Sequence, residues 1–175
     1  MRLLSLDIAT KLGWCHGNTG GGDPVSGVHA LPKTGEELGP FLHAYGHWLK
    51  KLLEAEKIER VVFEEAIMPN GMTNLTTLLK LYGLIGMTET VCFTKQIPVF
   101  QIAAGTWKKA FCGRGNFGKS AKPYPPITRC QELGWTVKDD NEADACGIWV
   151  AAVQRVDATS AMRFDPLFRE QQKAA

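Results

Sequence analysis

The stretch Leu3-Leu4-Ser5-Leu6-Asp7, continued by Thr10-Lys11-Leu12-Gly13-Trp14-Cys15-His16-Gly17, decides the fold. Residues 2–9 read as a buried strand, within which the apolar run Leu3-Leu4-Ser5-Leu6 ends on the Asp7 carboxylate. The next four read as a turn, and the run from Gly13 as a returning strand. A glycine-rich second turn follows at residues 18–23, and residues 25–30 read as a third strand. The three together make an antiparallel meander.

Outward from the meander, the periodicity changes. In residues 36–56, Leu38, Phe41, Leu42, Tyr45, Leu49, Leu52 and Leu53 form one stripe at helical spacing. Val61-Val62-Phe63 is a short apolar run without polar alternation, as expected for a strand covered on both faces. Residues 74–93 read as a long apolar helix and 97–102 as another strand. Short helices are expected at 106–111 and 127–133, a loop rich in Gly, Pro and Lys at 112–126, and a last helix at 141–156. This order predicts one α/β domain over residues 1–160, with a mixed five-stranded sheet flanked by helices. The sheet would join the three-strand meander to two parallel strands. Residues 161–175 read as a C-terminal tail.

The bulk numbers exclude more than they assign. The 175 residues, 45% hydrophobic and 22% charged, fit one soluble globular domain. A net charge of +2 gives no bulk argument for nucleic acid, so any such argument rests on local patches. No run is long enough to span a membrane, and the N-terminus does not read as a signal peptide. Five cysteines without a Cys-x-x-Cys pair argue against structural zinc and a disulfide framework, and for reduced thiols in the cytoplasm.

Four acidic positions carry the chemical information. Asp7 and Glu64 each end an apolar strand. If those strands are parallel neighbours, both carboxylates fall on one edge of the sheet, where open α/β sheets bind ligands. Asp140 and Asp144 lie one helical turn apart at the start of the last helix, with Asn141 between them. Carboxylates at the ends of buried strands are costly unless something cationic neutralises them. Their convergence points to hard divalent cations, which favour oxygen ligands. Two ions about 3.5–4 Å apart could bridge one scissile phosphate. The bland reading stands beside this one: Asp140 as a helix N-cap and Glu64 as a solvated strand end.

A second cluster is basic. Lys108, Lys109, Arg114, Lys119 and Lys122 are interleaved with Trp107, Phe111 and Phe117. Such a segment fits backbone phosphates and exposed bases, or it is simply a solvated loop. Residues 113–120 also fit the pattern of a phosphate-binding P-loop, but a basic amphipathic segment stands where that motif needs a buried strand, and three prolines follow. His43 and His47 lie four apart on a helix without a third ligand and read as surface residues. The apolar 74–93 helix reads either as core or as a dimer interface.

These motifs, in this order, resemble RuvC-type Holliday junction resolvases of the RNase H-like fold, as in a divergent viral or phage-like member. Leu-Ser-Leu-Asp7 with Gly13-Trp14 is similar to their first strand and turn, Val-Val-Phe-Glu64-Glu65 to their second acidic motif, and Asn141-Glu142-Ala143-Asp144-Ala145 to their C-terminal acidic motif. The resemblance implies a homodimer that nicks branched DNA in pairs, using Mg²⁺ with Mn²⁺ as a substitute. By position, the metal ligands are Asp7, Glu64 and Asp144, with the fourth from Asp140 or Asn141. Asn141 stands where the family carries Asp or His. Lys119 matches a loop lysine that contacts the scissile phosphate. Ile67 and Met68 stand where the family often has an aromatic wedge against the junction. Three other readings remain: a less specific branched-DNA or RNA nuclease, a non-catalytic junction-binding module, and a nucleotide-binding switch.

Overall fold

The computed structural model describes residues 1–66, 74–117 and 121–165. Three strands open the chain, β1 (Arg2–Asp7), β2 (Lys11–Asn18) and β3 (Val25–Ala30). Helix α1 (Leu38–Ala55), β4 (Arg60–Glu64), α2 (Leu75–Thr94) and β5 (Val99–Ile102) follow. The chain closes with helices α3 (Ala104–Cys112), α4 (Pro125–Glu132), α5 (Asp140–Val156) and α6 (Ala158–Ala161), and a 3₁₀ turn at Met162–Phe164.

The sheet order is β3-β2-β1-β4-β5. The meander pairs are antiparallel, and β1-β4 and β4-β5 are parallel. This is the mixed five-stranded sheet expected from the sequence. Val61, Val62 and Phe63 are all fully buried, because each face of the sheet carries its own core. Leu4, Leu6, Val61 and Phe63 pack against Phe41, Tyr45 and Leu49 of α1 and Leu84 of α2. Leu3, Val62 and Ile102 pack on the other face, against α3, α4 and α5.

Helix α5 lies close on the sheet because its inward residues are small. A Cβ on Gly147 would come within 2.7 Å of the Trp107 ring. Two hydrogen bonds tie this helix to β1: Ser5 Oγ donates to the Ala145 carbonyl at 2.6 Å, and Trp149 Nε1 donates to the Leu3 carbonyl at 3.1 Å. Both lie in the core, where a lost partner would leave a polar group unsatisfied.

Two local expectations change. Helix α4 starts at Pro125, inside the expected loop, because proline is tolerated in a first helical turn, where no intrahelical N–H bond is needed. Trp107 and Phe111 face the core rather than solvent. The chain stays packed past residue 160: Ala161 and Phe164 are buried in the α5-side core, and the Phe164 ring meets Trp135 and Trp149 edge-on. Residues 166–175 of the expected tail lie outside the described residues. All five cysteines are free thiols. Among the described residues, no helix is long and apolar enough to cross a membrane.

Candidate active site

The parallel β1-β4 register pairs Leu6 with Phe63, so Asp7 and Glu64 end adjacent strands at the same level. Both are half-buried. On the next strand Glu64 pairs with Ile102, and α3 begins directly beyond, bringing Trp107 to the same edge. Trp107 Nε1 donates to Glu64 Oε2 at 2.6 Å.

The first turn of α5 is pinned over this edge by the β1-β2 turn. Asp139, not Asp140, is the N-cap: its carboxylate accepts from the Glu142 N–H at 3.0 Å. The same carboxylate is ion-paired with Lys11. Asn141 Nδ2 donates to the Lys11 carbonyl at 2.9 Å. Gly13 completes the clamp, since a Cβ there would lie 1.9 Å from the Asn141 carbonyl oxygen. Glu142 turns away from the edge and accepts from Ser26 Oγ at 2.7 Å and the Lys138 N–H at 2.9 Å. Asp140 is thereby left exposed, and Asp144 is 8% exposed.

Tyr124, at the N-cap of α4, reaches one of these acids, Asp144. Its hydroxyl lies 2.9 Å from Asp144 Oδ1 and 3.1 Å from Oδ2 and donates to that carboxylate. Burial, and then the negative charges of Asp144, Asp140 and Asp7, push this phenol well above its ordinary pKa. The proton therefore stays on the oxygen. The hydroxyl is hydrogen-bonded to Asp144, and Glu64 ends the strand beside Asp7.

The acids do not form a closed cage. Among the described residues, no three His, Cys, Asp or Glu side chains are grouped as a metal cluster. Glu64 and Asp144 are instead held by neutral donors from Trp107 and Tyr124. The donor set is nonetheless all oxygen, and its chemistry fits a hard divalent cation.

A basic rim borders the acids. Lys109, Arg114 and Lys122 are exposed. Arg114 and Lys122 share a cleft of about 510 Å³ with Pro125 and Arg129. Lys108 Nζ sits 5.3 Å from the Phe117 ring centroid, and Phe117 meets Tyr124 edge-on at 5.8 Å. Lys119, Ile67 and Met68 lie outside the described residues. Helix α3 runs into Gly113, which caps it in the left-handed conformation (φ 75°). A P-loop needs a strand at that place.

Sequence reasoning missed Lys11, Gly13 and Tyr124, and placed Trp107 among the base-stacking aromatics. Gly13 stood with Trp14 in the motif that resembles the resolvases' first strand and turn, but that motif says nothing of its contact with the Asn141 carbonyl. Tyr124 stands among prolines in a segment read as loop.

No protein-family model matches the chain, and no curated protein matches it. Solved structures do. Thermus thermophilus RuvC superposes with a TM-score of 0.69 at 18% identity, over 91% of this chain and 98% of that one. The same protein in complex with a Holliday junction substrate gives 0.71 at 17% identity, over 91% and 97%. The yeast mitochondrial Holliday junction resolvase Ydc2 gives 0.59 at 12% identity, over 93% and 83%. The fold is thus that of RuvC, an RNase H-like fold, along nearly its full length.

Proposed function

We propose that this protein is an Mg²⁺-dependent endonuclease that resolves four-way (Holliday) or other branched DNA by paired nicks. The observation that supports this reading is that the chain ends the adjacent parallel strands β1 and β4 on Asp7 and Glu64 and exposes Lys109, Arg114 and Lys122 on the segment that follows β5. It does so in a fold shared with a protein solved on a Holliday junction substrate.

In this reading Asp7, Glu64 and Asp144 hold two Mg²⁺ ions, or Mn²⁺ in their place, with Asp140 as the fourth ligand. Asn141 ranks behind Asp140 because a neutral amide oxygen is a weaker ligand for a hard cation than a carboxylate. The chemistry such ions supply is activation of water and neutralisation of charge at the leaving oxygen. The chain's own groups do the rest. Trp107 fixes the Glu64 carboxylate, and the Lys11 clamp fixes the start of α5 and with it Asp144. Lys108, Lys109, Arg114, Lys119 and Lys122 bind backbone phosphates, which places the scissile bond at the acids. Cleavage of the P–O3′ bond by water leaves a 5′-phosphate and a 3′-hydroxyl.

Paired nicks need two sites. Helix α2 offers the surface for a homodimer: Leu75, Leu79, Tyr82 and Phe93 are exposed on it, at 66%, 46%, 40% and 84%. Their spacing, four, three and eleven residues apart, keeps them on one stripe. A non-catalytic junction-binding module is the second reading, favoured by the amide of Asn141 where a carboxylate or imidazole would serve a metal better.

Cleavage of a labelled four-way junction separates the two. With Mg²⁺ we expect paired nicks, and with Ca²⁺ binding without nicks. Asp7→Asn should bind the junction while cutting at least ~100-fold more slowly. Binding by the wild-type protein with no cleavage in Mg²⁺ would favour the module. Equal cleavage by Asp7→Asn would remove the assignment of the site.

A further inference from the structure

Asp144 is 8% exposed, and a carboxylate so placed needs a polar partner. Tyr124 is one, with a geometry that differs from the other donor in the site. Its hydroxyl is nearly equidistant from the two carboxylate oxygens, at 2.9 and 3.1 Å. It therefore sits in the bite of the carboxylate, the position a chelated cation takes. Trp107 donates to one oxygen of Glu64, not into the bite between the two. The two side chains also differ in their freedom to leave. Trp107 is fully buried and wedged against Gly147. Tyr124 is half-buried at the mouth of the site, with the Phe117 ring edge-on beside it.

We infer that Tyr124 is a positioning residue that stands in for the cation: it holds Asp144 in the metal-free protein and is displaced when a divalent ion binds. Trp107 is the complementary case, orienting Glu64 in both states. The inference rests on the metal-site reading above and adds a competition within that site. Loading the site then costs the Tyr124 hydrogen bond, and the metal-free protein binds cations more weakly than its carboxylates alone would allow. A hydrogen-bonded partner that supports a ligand would do the opposite, because orienting contacts strengthen metal binding.

Calorimetric titration of the DNA-free protein with Mn²⁺ tests this. Tyr124→Phe keeps the ring and removes the donor, and it should bind Mn²⁺ about tenfold more tightly than wild type, the scale of one hydrogen bond to a charged group. Trp107→Phe should bind it several-fold more weakly. Asp7→Asn should lose binding. A second readout uses the wild-type protein alone: Mn²⁺ should produce a tyrosine difference band in the near ultraviolet as the phenol leaves its carboxylate. A folded Tyr124→Phe that binds Mn²⁺ no more tightly than wild type overturns the inference. If Asp7→Asn still loses binding in that case, the metal site itself stands. Absence of Mn²⁺ binding in wild type and Tyr124→Phe alike removes both. Should Tyr124→Phe fail to fold, absence of the wild-type difference band is the overturning result.

Discussion

Gly13 shows how one side chain's absence places another's carboxylate. The β2 backbone and the Asn141 carbonyl approach so closely at this residue that a methyl group would sit 1.9 Å from the oxygen. No real contact is that short, so Gly13→Ala must move either the β1-β2 turn or the first turn of α5. Both carry the clamp built from Lys11, Asp139 and Asn141. Overpacking of this kind costs about 1–3 kcal/mol. A shift of even ~1 Å at a catalytic group costs about 100-fold in rate. Gly13→Ala should therefore lower the urea midpoint and slow junction nicking at least tenfold, while junction binding through the basic rim persists. A variant with wild-type stability and rate would mean that the clamp does not position Asp144.

At the scale of elements, the strands were legible and several contacts were not. The apolar runs ending in Asp7 and Glu64 announced buried strands. The unbroken Val61-Val62-Phe63 announced a sheet covered on both faces, and the helical stripe of α1 put Phe41, Tyr45, Leu49 and Leu53 in the core as observed. Helix α5 was legible from its long run of small and apolar residues. Residues 124–126 misled because a proline cluster reads as loop, although proline also opens helices. The roles of Trp107 and Tyr124 could not be read along the chain, since their carboxylate partners lie 43 and 20 residues away and are met only through the tertiary fold. Helix α2 had two readings, core helix or dimer interface, and the core reading describes one face of it. Lys80, Leu84, Thr88 and Cys92 face inward, and Tyr45 donates to Thr88 Oγ1 at 2.7 Å because that hydroxyl itself donates to the Leu84 carbonyl. The opposite face exposes Leu75, Leu79, Tyr82 and Phe93, with Glu89 among them. If it pairs two copies, Leu79→Glu with Tyr82→Glu should yield a monomer by sedimentation and convert paired nicks into uncoupled single ones. A wild-type protein that sediments as a monomer at tens of micromolar would contradict this role for α2.

At the scale of the whole molecule, the account reduces to one edge of one sheet. Two parallel strands end there on carboxylates, and a third segment is clamped across them by the β1-β2 turn. Basic residues from the α3-α4 region border the result. The chain shares its fold with Thermus thermophilus RuvC at under 20% identity. Anomalous diffraction from crystals grown with Mn²⁺ and an uncleavable four-way junction puts the geometry of the acids to the test. The account predicts manganese peaks in contact with the carboxylates of Asp7, Glu64 and Asp144, with the Tyr124 hydroxyl withdrawn from Asp144. A bound junction with those three carboxylates bare at saturating Mn²⁺ would contradict it.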